Sequence, residues 1–292
     1  MRQAIPDNSS YGFEYAKRNG SRQPSQKIAE LLFADDIALI SGNIVELQIM
    51  LDNVIKNAKL VGLQINVKKT QWLVAGKEIN TKDTLTINSV PLEKIDDYKY
   101  LGVWIKSSMK EFNVRKALAW EAAKRIKKLW ISPTLSESLK IRVFQTCVES
   151  VLLYAGETWS LTKLMEKQLD GTYTKLLRYC LNIKWQDKIP NYILYQNIPP
   201  VSIRLKARRM SFAGHCFRSR YTAPQPSMDF ILWRYKGQMS RGALNRKTHL
   251  KLLCEDSELS AGIKDIDASI ISLSIDMRNR EKWRDKINEQ KF

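Results

Sequence analysis

Asp35 and Asp36 stand side by side between two apolar runs, Leu31-Leu32-Phe33 and Ile37-Ala38-Leu39-Ile40. Adjacent carboxylates repel each other unless a cation shares the space between them. Nucleotidyl transfer by two divalent cations uses such groups, because the metals activate a hydroxyl nucleophile and neutralise the leaving pyrophosphate. The pattern predicts a strand, a tight turn and a second strand, with the apolar flanks burying the strands and the two acids exposed at one edge. Aspartate is also common in ordinary β-turns, so the weight of the pair depends on what surrounds it. Two further clusters carry less. His215-Cys216 and the His249/Cys254 pair offer one paired spacing and no second, which reads as plain imidazoles and thiols rather than zinc ligands. The four cysteines form no CxxC pair and suit a reducing compartment.

The elements that must position the acidic pair are legible around it. Residues 1–26 read as irregular, punctuated by Pro6, Asn19, Gly20 and Pro24. After the hairpin, Asn43 is an N-cap candidate. Leu47, Met50, Leu51, Val54, Ile55, Ala58 and Val61 then recur at helical spacing until Gly62. Strand-like pieces follow at 71–75, 84–88 and 98–105, with Asn88, Ser89 and Pro91 marking a turn. From Ser107 the pattern turns helical. A basic helix covers 114–130, Pro133 suits the start of the next, a third spans 161–181, and a fourth, rich in Arg and Lys, spans 203–217. Pro224, Pro226, Gly237 and Gly242 suggest a linker, and the charged end a loosely ordered tail. The expected division is an irregular segment 1–26, a strand-rich domain 27–106, a helical region 107–220 and a linker plus tail 221–292.

Charge narrows the partner. Lys plus Arg number 48 and Asp plus Glu 30, a net charge of +18. Such a surface attracts polyanions and sheds counterions on binding phosphates. Nucleic acid is the leading partner, and an anionic membrane surface the alternative. No signal-like apolar segment opens the chain and no apolar run approaches the length of a span. The expectation is an intracellular protein, nuclear or cytoplasmic, neither secreted nor membrane-inserted.

Three stretches in order change the odds on the acidic pair. Leu31-Leu32-Phe33-Ala34-Asp35-Asp36 is followed, after the helix, by Gly62-Leu63-Gln64-Ile65-Asn66-Val67-Lys68-Lys69-Thr70, and then by Tyr98-Lys99-Tyr100-Leu101-Gly102. These resemble the [YF]-x-D-D catalytic hairpin, the GL-x-[IL]-N-x-x-K-T motif and the [FY]-x-Y-L-G primer grip of reverse transcriptases from non-LTR (LINE-like) retrotransposons. The stretch VESVLLYAGETW at 148–159 and Arg208-Arg209…Gly214-His215 resemble later stretches of the same elements, so the resemblance covers roughly 28–220. It implies an α+β fold: a truncated palm sheet of a few antiparallel strands and one helix, then a mostly helical thumb-like region. It also implies roles. Asp35 and Asp36 would be catalytic metal ligands for Mg²⁺, with Mn²⁺ as the alternative, and Phe33 and Lys69 would lie beside the incoming nucleotide. Tyr100, Leu101 and Gly102 would support the primer end. Lys116, Lys124, Arg125, Lys127 and Lys128, interleaved with Trp120 and Trp130, suit a surface tracking an RNA template and DNA primer duplex.

The resemblance also places a further metal-binding aspartate and a fingers domain upstream of the hairpin. Here 34 residues precede Asp35, and Asp7 among them sits in a polar Pro-Asp-Asn-Ser-Ser context. The expectation is therefore an RNA-directed DNA polymerase fragment that is inactive alone, its metal site complete only if other carboxylates join it. Two alternatives stand beside it: a non-catalytic basic nucleic-acid-binding remnant, and a decayed open reading frame.

Overall fold

The computed structural model describes residues 11–16, 26–75, 84–105, 107–195, 198–219, 249–257 and 266–289. Asp7 and the proline- and glycine-marked stretch at 221–242 lie outside them. The chain divides into two compact units, Met1–Tyr100 and Leu101–Phe292. Its class is mixed α+β: mostly helical, with small sheets that, among the described residues, pair only two strands each.

In the first unit, β1 (Phe13–Ala16) pairs antiparallel with β2 (Gln26–Ile28), where the sequence suggested irregular chain. Gly12, at φ 112°, makes this possible, since a Cβ there would lie 2.8 Å from the Ile28 carbonyl oxygen. β3 (Glu30–Phe33) and β4 (Asp36–Leu39) form the expected hairpin. α1 (Ile44–Leu60) starts where Asn43 Oδ1 accepts from the Val45 N–H at 2.8 Å. It ends in a Schellman turn: Gly62, at φ 75°, lets the Leu63 N–H reach the Ala58 carbonyl at 2.8 Å. α1 buries Met50, Leu51, Val54 and Ala58. Leu51 packs with Leu85, Ile87 and Leu92, and Leu39, Ile65, Val67 and Trp72 pack around them.

The strands of that small core are mixed in direction, where a mixed or antiparallel arrangement was expected. β5 (Gln71–Trp72) runs parallel to β8 (Glu93–Lys94). Between them β6 (Thr86–Ile87) and β7 (Val90–Pro91) form a hairpin around Asn88 and Ser89, both left-handed at φ 50° and 65°. The free edge of β6 is satisfied by a side chain. The Gln48 amide donates to the Thr86 carbonyl and accepts from its N–H, each at 2.9 Å, standing in for a neighbouring strand. β9 (Lys99–Tyr100) closes the unit.

The second unit opens with β10 (Val103–Trp104) and is otherwise helical. α2 (Ser108–Arg125) is capped by Ser107 Oγ and leads into the short α3 (Lys127–Trp130). α4 (Glu137–Phe144) begins at the Ser136 cap, three residues after Pro133, which lies in the preceding turn rather than at the helix start. It continues through a π-helical turn, Gln145–Glu149, into α5 (Ser150–Leu152). α6 (Lys163–Cys180), α7 (Asn191–Leu194) and α8 (Val201–Ser219) follow. The first core of this unit gathers Phe112, Trp130, Phe144, Leu152, Trp159, Tyr173 and Leu177.

Instead of a loose tail, the described residues beyond 248 form α9 (His249–Asp256), α10 (Ile266–Arg278) and α11 (Arg280–Glu289). They close a second core on α8, in which Met210, Ala213 and Phe217 meet Leu253, Leu273, Met277 and Trp283. The Trp283 indole N–H donates to the Met210 carbonyl at 2.8 Å. Gly214 makes room for that ring, since a Cβ there would sit 2.5 Å from Trp283 Cδ1. Gly214→Ala should therefore cost about 1–3 kcal/mol in chemical denaturation, the usual size of overpacking.

His249 adds a pH dependence to this layer. Its Nε2 faces the Glu157 carbonyl at 3.2 Å, and its buried Nδ1 has no hydrogen-bond partner among the described residues. Burial holds its pKa below 6.5. The Glu157 carbonyl opposes that shift, Arg209 adds to it, and Asp256 opposes it. A folded-state pKa below the unfolded value means stability that is full above about pH 6.5 and drains away as pH falls through the folded value. The unfolding midpoint should drop as pH falls below about 6.5, and His249→Gln should flatten that part of the profile.

Candidate functional site

The acidic pair sits where the sequence suggested, on a hairpin that is less buried than expected. Register pairs Phe33 with Asp36 and Leu32 with Ile37, leaving Ala34 and Asp35 as the two-residue turn, and the Ile40 N–H extends the ladder to Ala29. Ala34 takes the left-handed φ of 52° that such a turn needs. Both aspartates are exposed. So are Leu31, Leu32, Ile37 and above all Phe33, at 60%. The expectation that apolar flanks bury both strands fails because, among the described residues, no third strand pairs with the hairpin. Only Leu39, at its far end, reaches the small core.

Tyr100 is brought into electrostatic reach of this pair. Its phenol is pushed above its ordinary pKa by burial first, then by the Asp36 carboxylate and by Tyr98. Residues 64 positions apart in sequence, assigned by resemblance to the catalytic hairpin and the primer grip, thus interact electrostatically. Lys69 is exposed in a turn that Asn66 organises: the Asn66 carbonyl accepts from the Lys69 N–H at 3.1 Å and the Thr70 N–H at 3.0 Å.

Mg²⁺ asks for six oxygen ligands in near-octahedral array, commonly one or two carboxylates plus substrate phosphates and waters. Among the described residues no group of three or more His, Cys, Asp or Glu side chains is placed to hold a metal. The described residues do not by themselves fit a two-metal centre.

In the second unit the turn at Leu101-Gly102 is clamped. Both residues are left-handed, at φ 47° and 82°. The Arg115 guanidinium donates to the Gly102 carbonyl and pairs with Glu111 one helical turn back. The other Glu111 oxygen accepts from the Trp104 N–H at 3.0 Å. Tyr154, from the LLYAGETW stretch, lays its ring 4.2 Å from the Arg115 guanidinium and donates its hydroxyl to the Leu101 carbonyl at 2.9 Å. Glu111 and Arg115 are buried. The i, i+4 spacing of this pair was visible in the sequence, but nothing there distinguished Arg115 from its solvated basic neighbours.

Lys116, Lys124, Arg125, Lys127 and Lys128 are all exposed on α2 and α3, with Arg125 paired to Glu121 at 2.6 Å. The two tryptophans between them do not join that surface. Trp130 is buried and donates to the Ala123 carbonyl, and Trp120 is half-buried edge-on against Tyr179. They anchor the helices on the apolar core.

The later motif stretches are structural. Glu149 accepts from the Tyr173 hydroxyl at 3.0 Å and from Arg204. Burial nevertheless raises its pKa, against the pull of Arg204. Arg209 forms a fully buried ion pair with Asp256 at 2.5 Å and also meets the Trp159 carbonyl. The Arg-Arg…Gly-His spacing is thus that of a helix receiving a second helical layer.

A basic, mostly helical α+β chain with one exposed acidic hairpin is what the geometry defines. It is distantly homologous to a transposon-derived protein of Caenorhabditis elegans, 25% identical over 277 residues that cover 90% of this chain and 96% of the worm protein. No known family profile matches, and no solved structure does. Among the described residues no helix is long and apolar enough to cross a membrane.

Proposed function

We propose that this chain descends from the palm and thumb of a non-LTR retrotransposon reverse transcriptase and binds primer–template duplex, RNA template with DNA primer, without extending it on its own. The observation that carries this reading is the Arg115 clamp. One buried guanidinium fixes the Leu101-Gly102 turn to the helix that bears Lys116, Lys124 and Arg125. A turn suited to a primer end and a cationic helix suited to a duplex backbone are then one rigid piece. The transposon-derived relative supports the ancestry, and the ordered motifs give it its particular form. Asp35 and Asp36 remain the metal-binding pair of this reading, for Mg²⁺ or Mn²⁺, only where further carboxylates complete the site. Phe33 and Lys69 remain its nucleotide-side residues. A cell compartment that holds nucleic acid, nuclear or cytoplasmic, follows from the partner.

Neutralising Lys116, Lys124, Lys127 and Lys128 together to Ala tests it. Each phosphate contact contributes about 0.9 to the slope of log affinity against log salt. The slope for duplex should become shallower by roughly 2–4, with the fold unchanged by circular dichroism. An unchanged slope would remove α2 and α3 from the interface.

A further inference from the structure

Trp185 is the most exposed large hydrophobic side chain among the described residues, at 83%. It stands in the loop between α6 and α7, and Tyr192, near the start of α7, is 75% exposed. Lys184 and Lys188 flank the indole and are exposed too. Single exposed apolar residues need no explanation. Two wide aromatics interleaved with lysines within nine residues of a strongly basic chain are a different matter.

The loop that displays them is built. Arg178 donates to the Ile189 carbonyl at 2.7 Å and to Asn191 Oδ1 at 2.9 Å, fastening the far end of the loop to α6. Asp187 accepts from the Lys184 N–H at 2.7 Å, and the Ile183 N–H returns to the Arg178 carbonyl at 2.9 Å. Asn182 and Lys188 take left-handed φ values of 56° and 48° to close the two bends. A surface fixed in this way loses little side-chain and loop freedom when a ligand lands on it. Beside it lies an open cleft lined by Lys127, Trp130, Arg178, Tyr179 and Lys184. The cationic α3 and the aromatic loop therefore border one depression.

We propose that this loop is a stacking site for unpaired nucleic acid. Bases lie on Trp185 and Tyr192, and the phosphates run past Lys184, Lys188 and Lys127. Every base has a π-face, so stacking of this kind tolerates any sequence, while lysines supply the salt-sensitive attraction. Trp, Tyr and Lys also populate membrane interfaces. Ile193, at 44%, and Ile131, at 55% on the cleft wall, add exposed aliphatic surface, which is too little to enter an acyl layer. The site rests on the proposed nucleic-acid partner but uses residues outside the duplex-binding set, apart from Lys127.

The test uses the full chain and fluorescein-labelled probes: an unstructured RNA of about 16 nucleotides, a primer–template duplex, and phosphatidylserine–phosphatidylcholine vesicles. Trp185→Ala with Tyr192→Ala should weaken binding of the unstructured strand by roughly five- to a hundredfold, leave duplex binding unchanged and leave the circular dichroism intact. Trp185→Phe, which keeps a π-face, should lose less. Lys184→Ala with Lys188→Ala should reduce the salt slope on the single strand by about 1.4. The inference is overturned if the aromatic double variant binds the unstructured strand like the parent, if it loses duplex binding equally, or if it loses vesicle binding while strand binding persists. Loop-dependent single-strand binding with no duplex binding would uphold the stacking site and overturn the proposed function.

Discussion

Replacing Asp256 by Ala should destabilise the helical unit by about 3–5 kcal/mol and release α9–α11 from α8. Arg209 and Asp256 are 1% and 3% exposed, paired at 2.5 Å across 47 residues of sequence. Removing the carboxylate leaves a guanidinium in the interior with, among the described residues, the Trp159 carbonyl at 3.4 Å as its remaining hydrogen-bond partner. An uncompensated buried charge costs far more than the pair contributes. Two readouts should agree: a lower denaturant midpoint and faster proteolysis beyond residue 248. The double change Arg209→Met with Asp256→Leu should recover most of the loss, because an apolar pair of similar volume removes both desolvation penalties. A single variant that unfolds no earlier than the parent would mean that the second core holds without the pair.

The second large effect concerns the turn. Arg115→Met should cost about 3–5 kcal/mol, since the Glu111 carboxylate, 1% exposed, would keep only the Trp104 N–H as partner. Beyond stability, the Gly102 carbonyl loses its donor and the Tyr154 ring loses the cation beside it. Under the proposed function, duplex affinity should fall at temperatures where the variant is still folded. Arg115→Lys should recover little of it, because one ammonium cannot reproduce the fork that reaches Glu111 and Gly102 together. Glu111→Gln with Arg115→Met, which removes the buried charge as well as its partner, separates the two losses. Stability should largely return and duplex affinity should not.

Much of this architecture was legible in the sequence because it depends on local rules. Asn43 as a cap, Gly62 as a stop and the Asn88-Ser89 turn follow from side-chain reach and left-handed backbone, and each stands where the residue types placed it. The Ala34-Asp35 turn follows from two apolar runs that must reverse. What failed was non-local. Whether Leu31, Leu32 and Phe33 are buried depends on a neighbouring strand, not on their own pattern. Trp120 and Trp130 alternate with lysines in a way that suits either a stacking surface or a covered core, and only packing decides. The C-terminal stretch read as a loosely ordered tail, because its contribution rests on a few residues, Trp283, Leu273 and Met277, whose partners lie on α8.

The candidate site divides in the same way. Asp35, Asp36 and Tyr100 were singled out by type and order, and burial, then the Asp36 carboxylate, raises the Tyr100 phenol pKa. Arg115 and Tyr154 were not singled out. Their roles arise where two turns of chain more than fifty residues apart meet, and no spacing rule announces such a meeting. The aromatic loop at 183–192 escaped for the opposite reason: nothing in its composition says that Trp185 stays in water.

The most direct test of the central claim is primer extension on an annealed RNA template and DNA primer, with Mg²⁺ and separately with Mn²⁺, run beside a salt series of duplex binding. The parent is compared with Asp35→Ala combined with Asp36→Ala. The proposed function predicts no extended product from either, and duplex binding that weakens steeply with salt and survives the double substitution. Extension that vanishes with the two aspartates would contradict it by showing that a working metal site forms, and duplex binding that is absent in the parent would contradict it from the other side.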